Sequence, residues 1–529
     1  MSAATIPIPA GNLPQTAKFG EGRKLAIFGI MAFGQFMALL DTQIVAASLN
    51  SIQGGLSAGP DEIAWVQTAY LMAEIVMIPL AAFLSQAIST RWLFTLSAVL
   101  FTLSSLLCGI AWNIQSMTAF RALQGFVGGA MVPTVFATGF ALFTGKRRAM
   151  IPAVLGMVST LAPTLGPTVG GWITDTMSWR WLFFINVFPG AAIAILLPLL
   201  GKVDEPNPSM LKRIDWLHVA SLAIFLGALQ YVLEEGPRHQ WFEDETVKTV
   251  AWISLIGALV FFERSYFSEM PVLKLTPFKR LTFALACLLN VVIGFGLYAS
   301  TYLTPIFLGR VRGFSSLEIG TTVFVTGIFM TLSAPLAARL TTVLDQRIVV
   351  GTGFTLFAFA SWLLSGIGSE WGFWELLPAQ AIRGFAVLLC IVPTVGMALN
   401  GVPPDELRYA SGLFNLMRNL GGAIGIAAVT TWLQDYGRIH GERFGEALSH
   451  ANTSVLAHAA ARISTITPDA AHAQMILQGE LAQVVTRQAL TQAFDDVFFL
   501  IAALFAAALI LVPFCKAVIF SDDVPIEGH

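Results

Sequence analysis

The chain has 529 residues, 56% of them hydrophobic and 12% charged, with a formal net charge of −2. A soluble protein carries about 25% charged residues, so the composition excludes an ordinary soluble domain. The near-neutral charge, with no basic patch interleaved with aromatics, excludes nucleic acid as a partner. Cys108, Cys287, Cys390 and Cys515 each lie in an apolar run and form no CxxC. They read as small buried hydrophobes without disulfide or metal roles.

Up to about Gly22 the chain is polar and shows no cleavable signal, so the first apolar run is expected to remain as a spanning helix. Apolar runs of the ~20 residues needed to cross a bilayer then recur to the end. Each must satisfy its own backbone hydrogen bonds, which makes the spans helical. Helices are predicted at about 25–47, 62–84, 92–112, 116–141, 149–173 and 180–200. A Pro-rich break follows, then spans at about 214–234 and 247–267. After a second basic break come spans at about 281–307, 318–338, 348–367, 375–400 and 409–433, a long polar segment, and a last span at about 495–515.

Fourteen spans put both termini on one side. With the N-terminus inside, 18 of the 30 Lys and Arg fall in cytoplasmic segments and 5 in short outer loops, as the positive-inside rule requires. Arg121, Arg383 and Arg418 lie within spans. RALQGFVGGAMVPT from Arg121 resembles RGFAVLLCIVPT from Arg383, and a Gly-rich helix follows each, the second carrying Gly421, Gly422 and Gly425. Parallel repeats around a midplane site are a transporter design. The expected division is therefore 1–24, a cytoplasmic tail; 25–200, a six-helix lobe; 201–280, a two-helix insertion with cytoplasmic linkers; 281–515, a second six-helix lobe including a periplasmic segment 434–493; and 516–529, a cytoplasmic tail.

An arginine inside a hydrocarbon-length helix is costly and is expected to face the protein interior and a partner. Arg121 opens the stretch on which the chain is organised, through the basic hinge Lys146-Arg147-Arg148 to Gly171. Gly125 with Gly129, and Gly166 with Gly170, are each four apart. That spacing suits close helix packing and equally a functional bend. Asp41, in FMALLDTQIV, and Glu74, in YLMAEIVMIPL, are acids among apolar residues. Each is either a packing hydrogen-bond group or a carrier that takes up and releases a proton. Asp215 with Trp216 reads as an interfacial anchor, and Glu234 and Glu235 as water-facing. Asn415 and Arg418 are candidates for a polar cavity lining, whereas Asn186 could cap or bridge.

Residues Gln434–Gln492 are rich in Ala, Gln, Ser and His, and MILQGELAQVVTRQALTQAF has amphipathic helical spacing. His440, His450, His458 and His472 fit no metal motif and read as solvated surface. A segment this long is either a loosely ordered cap or a docking surface for another protein. No nucleophile–base pair, metal motif or phosphate loop supports an enzyme.

These residues resemble the major facilitator superfamily, and most closely its fourteen-helix drug:proton antiporters of the EmrB/QacA type, Gram-negative EmrB branch. LDTQIVAASL at Leu40–Leu49 is similar to the family's first-helix acidic motif, and RALQGFVGGA at Arg121–Ala130 to its fourth-helix arginine motif. APTLGPTVGG at Ala162–Gly171 is similar to the Gly-Pro antiporter motif, and WRWLFFINVFPG at Trp179–Gly190 to the start of the sixth helix. The loop Ala82–Arg91 departs: Gln86 stands where the family has aspartate and Ser89 where it has glycine, leaving only Arg91 to interact with neighbouring helices.

The resemblance implies an all-α membrane protein of major facilitator fold, with two six-helix lobes plus two inserted helices. It implies export of hydrophobic small molecules across a bacterial inner membrane, driven by protons, with no cofactor other than the proton gradient. Asp41, Glu74 and Arg121 would couple protons, and Gly166, Pro167, Gly170 and Gly171 would shape a bendable helix controlling leak and opening. A periplasmic adaptor and an outer-membrane channel would be the partners, docking at Gln434–Gln492. An importer or facilitator of a specific small molecule on the same fold is the alternative reading. A scaffold that moves nothing would gain nothing from buried carboxyls.

Overall fold

The structure is a computed structural model describing residues 20–59, 62–143, 147, 150–200, 203–268, 271–399, 402–403, 406–449 and 470–515. Among these the regular structure is helical throughout. Among the described residues thirteen helices are long and apolar enough to cross a membrane, and Met150–Thr176, with 27 residues, is a further long helix. In chain order they are α1 (Glu21–Ala47), α2 (Trp65–Ile88), α3 (Thr90–Gly109), α4 (Ile114–Leu142), α5 (Met150–Thr176), α6 (Trp181–Leu199), α7 (Trp216–Glu235) and α8 (Glu245–Phe267). There follow α9 (Leu281–Arg310), α10 (Ser316–Val343), α11 (Gln346–Leu364), α12 (Phe373–Leu399), α13 (Leu407–Ser449) and α14 (Ala470–Ala508).

In the first lobe α1 packs on α5, α2 on α4, and α3 on α4 and α6. The last six helices repeat this order, with α9 on α13, α10 on α12, and α11 on α12 and α14. Helices α7 and α8 pair with each other, and α7 rests on α2 and α13. The lobes meet where α5 lies on α10 and α2 on α13.

Small residues set the closest approaches, because lipid offers no hydrophobic drive between helices and backbones must come near to gain contact. A methyl at Gly129 of α4 would sit 2.6 Å from the Glu74 carbonyl oxygen of α2, and one at Gly125 would overlap the Tyr70 carbonyl. The second lobe does the same: methyls at Gly421 and Gly425 of α13 would meet the carbonyls of Val291 and Phe295 on α9.

The described residues of the polar segment predicted at 434–493 are helical. Helix α13 runs unbroken for 43 residues to Ser449, and α14 begins at Ala470. Its Ala, Gln, Glu and Arg are strong helix formers, and the two helices pack on each other, so helix persists where hydropathy falls. At 1.5 Å per residue α13 is about 64 Å long, against the ~30 Å of a hydrocarbon core. Arg487 ties this pair back to the α11–α12 connection through Ser369 O (2.9 Å) and Glu370 (2.8 Å). His440, expected on a solvated surface, is buried, with Nε2 2.7 Å from Asp496 Oδ2. The α13–α14 contact covers it. His450, His458 and the side chain of His472 lie outside the described residues, as do Lys146 and Arg148 of the basic hinge.

One further expectation is corrected. Glu235 does not face water: it is 5% exposed and accepts a hydrogen bond from Thr68 Oγ1 at 3.1 Å, because α7 leans on α2. Glu234 beside it is half-buried. Asp215 caps the start of α7: it accepts from His218 N at 3.1 Å and pairs with Arg264 at 3.1 Å, with the exposed Trp216 beside it.

Candidate functional site

Five helices converge on one carboxylate. Asp41 lies deep in α1 and is fully buried, as is Arg121 of α4. Arg121 Nη1 donates to Asp41 Oδ2 at 2.7 Å and to Gln124 Oε1 at 2.8 Å. Gln124 Nε2 donates to Asp41 Oδ1 at 3.1 Å, and Asn186 Nδ2 of α6 donates to the same oxygen at 2.5 Å. Asn186 is held in turn by Ser105 Oγ of α3 at 3.0 Å. Arg121 Nε reaches Val66 O of α2 at 3.2 Å, and the guanidinium stacks 4.2 Å from the centre of the Tyr70 ring. Arg121 Nη2 is buried with no hydrogen-bond partner among the described residues.

This is a built ion pair. A buried charge is tolerated when its remaining donors and acceptors are satisfied, and both Asp41 oxygens are. Neutralising Asp41 with a proton would remove the charge that holds Arg121, leaving a buried cation free to seek another partner. The arrangement can therefore store a proton and change shape when it does.

Glu74 lies one turn beyond Tyr70 on α2 and is half-buried. Among the described residues no hydrogen bond or ion pair engages its carboxylate, so it does not join Asp41 directly. It lies within the electrostatic reach of both Arg121 and Arg418, the latter on α13 across the lobe boundary. Arg418 and Asn415 are almost fully buried; Arg418 Nη2 donates to Asn415 Oδ1 at 3.1 Å, and Asn415 Nδ2 to Ser411 O at 2.9 Å.

The Gly-Pro stretch sits beside the ion pair. Gly166 packs directly on Gln43, and a methyl at Gly170 would lie 2.9 Å from Ile44 O. Pro167 and Gly171 are half-buried. Helix α5 thus grips α1 two and three residues past Asp41.

At the end of the bundle where α1 begins, here the base, the α2–α3 connection is held by more than Arg91. Asp204, just after α6, accepts from Thr90 N at 2.9 and 3.0 Å and from Thr90 Oγ1 at 2.6 Å. The same carboxylate pairs with Arg408 Nη2, at the start of α13, at 2.6 Å. Arg91 itself donates to Pro198 O at 3.3 Å and lies over the Trp92 ring, both within its own lobe. A carboxylate 114 residues downstream of Thr90 therefore supplies the charge that Gln86 lacks.

Of the polar groups around Asp41, Gln124 and Ser105 carry no sequence signal that separates them from ordinary helix residues. Asn186 had one: an amide in the apolar run FFINVFPG, at the break within α6.

The Major Facilitator Superfamily model matches residues 31–426. The colistin resistance protein EmrB of Acinetobacter baumannii is 39% identical over 480 residues, covering 90% of this chain and 93% of that protein. The multidrug export protein EmrB of Escherichia coli is 28% identical over 498 residues, covering 94% and 96%. Among solved structures, the human organic anion transporter TETRAN superposes with a TM-score of 0.59 at 16% identity, over 93% of this chain and all of that one, a likeness of fold. The chain is a multi-pass membrane protein of the major facilitator superfamily and belongs to its EmrB-type family of drug:proton antiporters.

Proposed function

We propose that the protein exports hydrophobic small molecules across the bacterial inner membrane in exchange for protons, by alternating access of its two lobes. The observation that carries this reading is the fully buried Asp41–Arg121 pair held from five helices. Relatives named for multidrug export and colistin resistance support it. Protonation of Asp41 releases Arg121, and the grip of α5 on α1 at Gln43 and Ile44 carries the change to the lobe boundary. Glu74 serves as the second carrier, between Arg121 and Arg418, and Asn415 with Arg418 lines the cargo path. The base, rich in Lys and Arg, faces the cytoplasm with both termini, and the lobes comprise about residues 25–200 and 281–515. No cofactor besides the proton gradient is needed.

Inside-out vesicles with an acid lumen test the reading. Cargo is expected to accumulate in the lumen until an ionophore collapses the gradient. Cargo entry unaffected by the gradient would mean a facilitator, and gradient-driven loss from the lumen an importer.

The projecting α13–α14 pair is proposed as the docking site for a periplasmic adaptor that connects to an outer-membrane channel. Met475 and Val484 are each 64% exposed on this pair, and apolar residues displayed beyond the membrane span mark an interaction surface. Replacing both by Glu is expected to spare vesicle transport and to lower whole-cell resistance by about tenfold, the effect of ~1.4 kcal/mol at an interface. Equal resistance in the variant would remove the docking assignment.

A further inference from the structure

We propose that the second lobe holds an anion-binding position at Arg383, which receives either a free monovalent anion or the carboxylate of an amphipathic cargo. The site stands apart from Asp41 and does not depend on the direction or driving force of transport.

Arg383 lies in α12 as Arg121 lies in α4. Their surroundings differ in one respect. Arg121 has a carboxylate at 2.7 Å. Arg383 is just as deeply buried, at 3% exposure, and among the described residues no carboxylate pairs with it. Its terminal nitrogens face only hydroxyls: Nη1 and Nη2 are each 3.5 Å from Thr304 Oγ1 on α9, and Nη2 is 3.5 Å from Thr326 Oγ1 on α10.

Those contacts are long for an N–H donor, whose bonds cluster at 2.7–3.2 Å. The hydroxyl protons are engaged elsewhere, that of Thr304 with Ser300 O at 3.0 Å and that of Thr326 with Gln380 Oε1 at 2.9 Å. Gln380 is fixed in turn by Thr322 O at 3.1 Å. The interior of the second lobe thus holds a planar two-pronged donor whose prongs converge on oxygens too far away to satisfy them well.

The other two arginines inside spans each have an acid to answer them. Asp41 answers Arg121, and Arg418 lies in the field of Glu74. Arg383 has no such acid among its hydrogen-bond and ion-pair partners in the described residues. An unpaired buried guanidinium is among the most expensive groups a membrane protein can carry, and such groups mark sites where a ligand completes the set. The guanidinium fork suits bidentate recognition of a carboxylate, and a halide can sit between its prongs. Both threonine hydroxyls are close enough to turn toward the same anion.

The test uses the full chain in lipid nanodiscs, with no gradient, and reads the unfolding temperature. Chloride is titrated at an ionic strength held constant with methanesulfonate. Benzoate is titrated against neutral benzamide. In the unmodified protein one or both anions are expected to give a saturable rise on the order of 2 °C at ten times the half-saturating concentration, and benzamide none. A chloride response alone makes the ligand a free ion; a benzoate response alone makes it a cargo carboxylate.

Arg383→Gln is expected to abolish the response. Arg383→Lys and Thr304→Val, which keep the charge, are expected to weaken half-saturation about tenfold and serve if the glutamine variant does not fold. The proposal is overturned if neither anion shifts the unmodified protein, or if the variants respond as it does.

Discussion

Asp41→Asn is expected to abolish gradient-driven export while the protein still reaches the membrane. Asparagine keeps the shape and can still accept from Gln124 and Asn186, but it cannot carry a proton. It also leaves Arg121 as a buried cation without its counter-ion, a loss worth about 3–5 kcal/mol when one partner of a buried pair is removed. A fall in gradient-driven transport on the order of 100-fold corresponds to ~3 kcal/mol. The measurement pairs two assays on the same vesicles: accumulation under an imposed pH gradient, and exchange of labelled for unlabelled cargo with none. Exchange is expected to persist, because swapping one cargo for another moves no net proton. Glu74→Gln is expected to lose gradient-driven accumulation as well. Its carboxylate, however, has no partner to orphan, so it should not lower the unfolding temperature as Asp41→Asn does. Near-normal accumulation in Asp41→Asn would remove the proton role from the ion pair. Loss of exchange together with accumulation would make the pair a structural clamp.

The contrast between those two acids shows where sequence reasoning reaches and where it stops. Both stand out in the sequence because ionised groups in apolar runs are costly, and the same cost singles out Arg121, Arg383 and Arg418. Which acid meets which arginine depends on how α1 and α2 lie around α4, and no spacing records that. Gln124, a neutral amide closing the shell, is invisible for a simpler reason: an amide in a helix costs too little to signal a role, and Asn186 shows only as an amide in an apolar run. Hydropathy places the spans well but ends α13 near residue 433, because a scale built on lipid transfer measures burial in lipid and not helix. Glycine spacing marks close approaches without naming the partner, which proves to be α2 for Gly125 and Gly129 and the α1 turn just beyond Asp41 for Gly166 and Gly170. The loop Ala82–Arg91 misleads in the opposite way. A missing aspartate looks like a missing lock until the fold brings Asp204 to the same place.

That replacement has a measurable consequence. Arg408→Gln is expected to loosen the base of the transporter, on the proposed cytoplasmic side, and to lower concentrative export by about tenfold or more. The Asp204–Arg408 pair joins the two lobes at 2.6 Å, and its side chains are 11% and 29% exposed. A pair this sheltered is weakly screened, and a hydrogen bond to a charged group contributes about 1.5–3 kcal/mol. Thr90 holds Asp204 with its backbone N–H and hydroxyl, so the carboxylate stays in position when Arg408 loses its charge. Only the tie between lobes is lost. Because that tie exists only when the base is closed, removing it shifts the balance toward base-open forms by about 10- to 100-fold. Ser411, whose hydroxyl donates to Pro133 O across the lobe boundary at 3.2 Å, is buried in the closed base and reports this directly. A Ser411→Cys substitution should react with a membrane-impermeant thiol reagent from the base side at least tenfold faster when combined with Arg408→Gln. The four native cysteines are all buried and give a low background. Arg408→Lys keeps the charge and should restore most of the protection. Asp204→Asn should be more severe than Arg408→Gln, because it weakens the hold on Thr90 as well as the bridge. Equal labelling in all these variants would mean that the base is held shut by helix packing alone, with the carboxylate serving only its own lobe.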